Sequence, residues 1–168
     1  MTEETIQRIL SRYPDRRSAL LPLMHLWQEE AGYLTEDAMR EVAARLDLPP
    51  IQVTEVATFY DMFRLKPSGR CEIWVCHNLS CALLGAEQVI QRLEEALGVG
   101  AGETTPDGLF TIKRVECLAA CGRAPAIQVG SDYYGPVSAN DVGELVERLK
   151  QQSAVSGQQS ASQLKADS

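Results

Sequence analysis

Four of the five cysteines fall into two close pairs. Cys76 and Cys81 have four residues between them, Cys117 and Cys121 have three, and 35 residues separate the pairs. Thiolates are soft ligands that suit zinc and iron–sulfur centres alike. A structural zinc ion tolerates such short spacings, and a two-iron centre takes one cysteine pair per iron. Spacing alone leaves both chemistries open. The small residues Ala82, Gly85, Ala119, Ala120 and Gly122 lean toward the iron–sulfur reading, because they leave room for backbone N–H groups beside sulfur. A thioredoxin-type dithiol needs C-x-x-C at a helix start, which neither pair supplies. A Rieske centre needs two histidine ligands. The chain has only His25, in a helical segment, and His77, directly after Cys76. Cys71 is in phase with Ile73 and Val75 and reads as a small buried hydrophobe.

The elements around the cysteines explain how distant pairs could meet. Cys71, Ile73 and Val75 alternate with Glu72, Trp74 and Cys76, the period of a strand. A loop holding Cys76 and Cys81 follows, then a helix from about Leu84 to Leu97 with Ala86, Val89, Ile90, Leu93 and Leu97 inward and Gly98 at its end. Val99 to Gly108 is a loop rich in glycine, and Leu109 to Val115 is a second strand. Strand–helix–strand order implies a right-handed parallel crossover, so both cysteine loops leave the sheet at one edge. Ala126–Val129 and Tyr133–Val137 form a hairpin around Gly130, Ser131 and Asp132. A last helix, capped by Ser138 or Asn140, turns Val142, Leu145, Val146 and Leu149 inward. The order is βαββα over residues 70–150. Residues 151–168, rich in Ser and Gln, form a disordered tail by composition.

Residues 1–66 read as a bundle of four helices. Ile6, Ile9, Leu10 and Tyr13 share one face, with Pro14 ending that helix. The second helix begins near Ser18 and carries Leu20, Leu23, Met24, Trp27 and Ala31 inward, with Pro22 in its first turn and Gly32 as C-cap. Thr35 caps a third, whose stripe is Met39, Val42, Ala43 and Leu46. Pro49 and Pro50 start a fourth, with Val56, Phe59, Tyr60 and Phe63 on one face. Leu65 to Arg70 reads as a linker. Trp27, Tyr33, Phe59, Tyr60, Met62 and Phe63 are many large side chains for a small bundle, so some are expected on a partner surface.

Composition narrows the function. The 168 residues are 45% apolar, enough for a core, and carry a net charge of −7. An acidic balance argues against nucleic acid as the main partner. No run approaches the roughly 18 apolar residues of a membrane span, and Met1–Leu10 has no signal-peptide character. A cytosolic location is expected, with no direct membrane insertion, and there clustered cysteines bind metal or do redox chemistry rather than form disulfides. No G-x-G-x-x-G follows a strand, so nothing indicates NAD binding by this chain.

The strings Cys76-His-Asn-Leu-Ser-Cys81-Ala-Leu-Leu-Gly85 and Glu116-Cys117-Leu-Ala-Ala-Cys121-Gly-Arg-Ala-Pro125 resemble the thioredoxin-like [2Fe–2S] subunit of respiratory complex I (NADH-quinone oxidoreductase), the 24 kDa type. Leu21 to Gly32 and Leu48 to Phe63 resemble that family's helical N-terminal segment, and the similarity spans about residues 5–150. The resemblance implies an α/β protein: a small helical bundle followed by a thioredoxin-like [2Fe–2S] ferredoxin domain. It implies one [2Fe–2S] cluster on Cys76, Cys81, Cys117 and Cys121. It also implies electron transfer beside a flavoprotein subunit that holds FMN and oxidises NADH, contacts with further peripheral-arm subunits, and no substrate site or catalytic residue on this chain. The protein would then be peripheral to the inner membrane through the complex. The competing readings are the diaphorase subunit of an NAD-linked hydrogenase or formate dehydrogenase, a free-standing ferredoxin, and a zinc-stabilised interaction module. Reduction adds negative charge to an already anionic centre. Arg123 beside Cys121 either offsets that charge or is a plain surface residue.

Overall fold

The computed structural model describes residues 2–153. The chain divides into two compact units, one ending at Ser68 and the other beginning at Gly69.

The first unit contains four helices: α1 (Glu3–Leu10), α2 (Leu20–Ala31), α3 (Glu36–Leu46) and α4 (Pro50–Phe59). Caps set their ends. Thr2 and Thr35 accept from the backbone N–H groups of Thr5 and Ala38, the interaction that makes threonine a good N-cap. Gly32 closes α2 in the left-handed region at φ 81°, where glycine carries no Cβ penalty. The core is built from Ile6, Leu20, Leu23, Met24, Trp27, Met39, Val42, Leu46, Val53 and Phe63.

Four details differ from the sequence expectation. Helix α1 stops at Leu10, before Pro14, and leaves Tyr13 beyond its end. A 3₁₀ turn at Arg16–Ala19 precedes α2. On α2 the buried position is Gln28, while Ala31 is exposed. Helix α4 ends at Phe59 because Tyr60 turns extended, with φ −98° and ψ 120°. Val56, Phe59, Tyr60 and Phe63 therefore share no helical face: Phe63 is buried, and Phe59 is 77% exposed.

Gln28 gives a polar reason for this arrangement. Its amide nitrogen donates to the Met62 carbonyl at 2.9 Å, and its oxygen accepts from the Arg64 N–H at 2.6 Å. The Leu34 N–H donates to the Arg64 carbonyl at 2.7 Å. One buried amide thus satisfies two backbone groups of the segment after α4, and Phe63 is held in the core between them.

The second unit is a four-stranded sheet with helices. Its elements are β1 (Cys71–Cys76), α5 (Leu79–Leu83), α6 (Ala86–Leu97), β2 (Phe110–Val115), β3 (Ile127–Val129), β4 (Asp132–Tyr134) and α7, described over residues 142–153. The strand order is β2-β1-β3-β4. Strands β1 and β2 are parallel, with Cys71 opposite Phe110 and Cys76 opposite Val115, while β1–β3 and β3–β4 are antiparallel. Cys71, Ile73, Val75, Phe110, Ile112 and Ile127 share one core with Val89, Ile90 and Leu93 of α6 and Val142, Leu145, Val146 and Leu149 of α7. Both helices therefore draw on the same set of strand residues. Each fully buried side chain of this kind contributes about 1.5–3 kcal/mol. Cys71 belongs to this core, and burial pushes its thiol pKa up.

Ser138 caps the last helical segment through a reciprocal capping box with Asp141. That segment runs through residue 153, past the expected start of the tail at Gln151. The rest of the tail lies outside the described residues. Among the described residues no helix is long and apolar enough to cross a membrane.

Gln28→Ala removes both bonds of the amide and leaves two backbone groups without their partner. A stability loss of about 1–3 kcal/mol is expected in urea unfolding. An unchanged midpoint would show that the Met62–Arg64 segment is held by other contacts.

Candidate metal centre

The parallel register decides where the cysteines go. Cys76 is the last residue of β1, and Val115, its partner, is the last residue of β2. The His77 N–H donates to the Val115 carbonyl at 3.1 Å, and the Cys76 N–H donates to the Ala126 carbonyl at 3.1 Å. The segments starting at His77 and at Glu116 therefore leave side by side from one sheet edge.

The first segment is not the loop expected from sequence. Asn78 caps the short helix α5, its side-chain oxygen accepting from the Leu79 N–H at 2.8 Å. Cys81 lies inside α5. Gly85, at φ 99°, breaks the chain between α5 and α6, so the helix expected from about Leu84 begins at Ala86. The signal for α5 was the asparagine, a strong N-cap residue, but five residues are too few to show a period.

Cys76 and Cys81 are buried, 4% and 2% exposed, and share a cluster with Ala86, Ala124 and Ala126. Burial pushes the Cys81 thiol pKa up most. A backbone N–H from Ala126 acts in the opposite direction, and the neighbouring Cys76 and Cys121 sulfurs push it up again. The Cys76 and Cys121 sulfurs therefore lie within electrostatic range of Cys81.

Cys117 and Cys121 are exposed. Ala119 adopts φ 55°, a conformation costing an L-residue roughly 1–2 kcal/mol. That turn lets its N–H donate to the Cys117 sulfur at 3.3 Å. Cys121 opens a 3₁₀ turn, Cys121–Arg123. Arg123 donates from Nε to the Gly135 carbonyl at 3.1 Å and from Nη2 to the Tyr133 carbonyl at 3.4 Å. Its guanidinium thus fastens the second cysteine segment to the β3–β4 hairpin. A Cβ on Gly135 would meet the Arg123 carbonyl oxygen at 2.2 Å, so only glycine allows this approach.

The donor set fits a binuclear iron–sulfur centre. A backbone N–H already points at the Cys117 sulfur, a hydrogen bond of the kind that tunes such a centre. Small residues surround the buried pair. Among the described residues no three Cys, His, Asp or Glu side chains gather as a site for a single ion.

The family described as thioredoxin-like [2Fe-2S] ferredoxin matches residues 6–150. The chain belongs to this family. Among its relatives is a NADH-quinone oxidoreductase subunit of Rhizobium meliloti, 45% identical over 147 residues that make up 88% of each chain. The corresponding NADH-quinone oxidoreductase subunit of Mycobacterium tuberculosis is 44% identical over 88% of this chain, which spans 59% of that longer protein. NADH-quinone oxidoreductase subunit 2 of Thermus thermophilus is 40% identical over 79% of this chain and 74% of its own length. Among solved structures, an air-oxidised NAD+-reducing [NiFe]-hydrogenase contains a chain with the same fold. Its TM-score is 0.65 at 22% identity, covering 79% of this chain and 23% of that one. Membership of the thioredoxin-like [2Fe-2S] family makes a [2Fe–2S] cluster the cofactor.

Gly135→Ala forces the Cys121–Arg123 turn away from the hairpin. Iron retained per chain after gel filtration should fall. Full retention would show that the turn tolerates displacement.

Proposed function

We propose that Cys76, Cys81, Cys117 and Cys121 hold one [2Fe–2S] cluster, and that the chain is the electron-transfer subunit of an NADH-quinone oxidoreductase. Its direct partner in this reading is the flavoprotein subunit that carries FMN and oxidises NADH, within a peripheral arm attached to the inner membrane on its cytoplasmic side. The observation that carries the reading is the β1–β2 register, which delivers both cysteine segments to one sheet edge.

A bound [2Fe–2S] centre supplies a one-electron redox step. The protein's part is to hold and tune it. Cys76 and Cys81 present sulfur from a buried, alanine-lined pocket, and Cys117 and Cys121 present it from the exposed side. The Ala119 N–H donates to the Cys117 sulfur, and the Ala126 backbone offsets part of the upward pKa shift of Cys81. Exposed apolar residues beside the site, Leu79 at 71% and Leu83 at 78%, suit a face that meets another subunit.

The diaphorase subunit of an NAD-linked hydrogenase is the second reading, since the fold occurs in such an enzyme. Relatives at 40–45% identity that are named as NADH-quinone oxidoreductase subunits favour the first.

Serine at any one of the four positions should cut iron and acid-labile sulfide to a small fraction of wild type, while Cys71→Ser, in the core beneath, should keep both if it folds. Full iron and sulfide content in serine variants at two of the four positions would end this reading.

A further inference from the structure

Glu116 directly precedes Cys117, and its carboxylate reaches across to the first cysteine segment. Oε2 accepts from Asn78 Nδ2 at 2.9 Å, and Oε1 lies 3.7 Å from His77 Nε2. Asn78 is already committed to the same region. Its oxygen accepts from the Leu79 N–H and so caps α5, the helix that carries Cys81. One side chain therefore ties the start of the second cysteine segment to the cap of the helix holding a cysteine of the first. Arg123, at the far end of the second segment, bonds instead to the hairpin.

We propose that Glu116 is a positioning residue that clasps the two cysteine segments together and, by its negative charge, lowers the reduction potential of the centre between them. This rests on the four-cysteine ligation proposed above. The clasp fixes the separation of two thiolate pairs that no continuous element joins, because α6 and the loop before β2 lie between them. Its carboxylate is 72% exposed, so the bond is weakened by water, and its strength is that of a partly screened charge-assisted hydrogen bond. A fixed anion next to a centre that gains negative charge on reduction disfavours the reduced state.

The two roles separate by substitution in the full-length chain. Glu116→Gln keeps an oxygen that can accept from Asn78 and removes the charge. Glu116→Ala removes both. Asn78→Asp keeps an oxygen for the Leu79 N–H, removes the Nδ2 donor and sets a like charge against Glu116. The readouts are an EPR-monitored redox titration, the width of the EPR signal after dithionite reduction, and the rate of iron loss to a chelator.

Glu116→Gln should raise the midpoint potential with iron content, EPR width and chelator rate as in wild type. Glu116→Ala should raise the potential, broaden the signal and speed iron loss about three- to tenfold. Asn78→Asp should broaden the signal and speed iron loss without raising the potential. Wild-type chelator rate and EPR width in both Glu116→Ala and Asn78→Asp would overturn the clasp. An unchanged potential in Glu116→Gln would overturn the electrostatic role. A wild-type chain without iron and sulfide would instead overturn the ligation itself, a result distinct from either.

Discussion

The parallel pairing of β1 with β2 is the constraint on which the site depends. A parallel ladder places equivalent ends of two strands at the same edge, and here the matched ends are Cys76 and Val115. A slip of one residue between them would turn the slipped strand's buried set to the opposite face. The burial of Ile73, Val75, Phe110 and Ile112 in one core therefore fixes the register and, with it, the height at which the two cysteine segments emerge. Core packing and site geometry are in this sense a single problem. The helix α6 contributes to both, since Val89, Ile90 and Leu93 hold the sheet while Ala86, at its start, borders the buried cysteines.

Beyond the strand ends, the chain relies on polar contacts and small residues rather than bulk. Alanine lines the buried pair, the backbone N–H of Ala119 points at the Cys117 sulfur, and Gly135 admits the Arg123 carbonyl where any side chain would collide. The positive φ of Ala119 is a small stored cost of a kind that collects at functional sites. Desolvation and two neighbouring sulfurs raise the pKa of the buried Cys81 thiol, so forming its thiolate carries a cost that a bound cation must offset.

Much of this is legible in the residues. Alternation through Cys71–Cys76, the 3.6-residue period of α6 and the strand–helix–strand order together imply the parallel crossover. The close cysteine spacing marks the candidate site. What escapes the sequence is local and has physical causes. Helix α5 is too short to show a period, and only its cap, Asn78, betrays it. The face assigned to Val56, Phe59, Tyr60 and Phe63 fails because the buried amide of Gln28 captures the backbone after α4 and draws Phe63 inward without a helix. Arg123, read as a charge beside Cys121 or as plain surface, bonds to two hairpin carbonyls, a contact that depends on the β3–β4 turn and not on sequence proximity. The Glu116–Asn78 bond joins residues 38 positions apart, beyond the reach of any local pattern.

The central claim is that two separated thiolate pairs share two irons rather than crowding around one ion. Metal and acid-labile sulfide analysis of the purified chain, combined with an EPR spin count after dithionite reduction, tests it most directly. The predicted result is equal amounts of iron and sulfide, one two-iron centre per chain, and one unpaired electron for each such centre. A chain carrying a single zinc or iron ion with no labile sulfide and no such signal would contradict it.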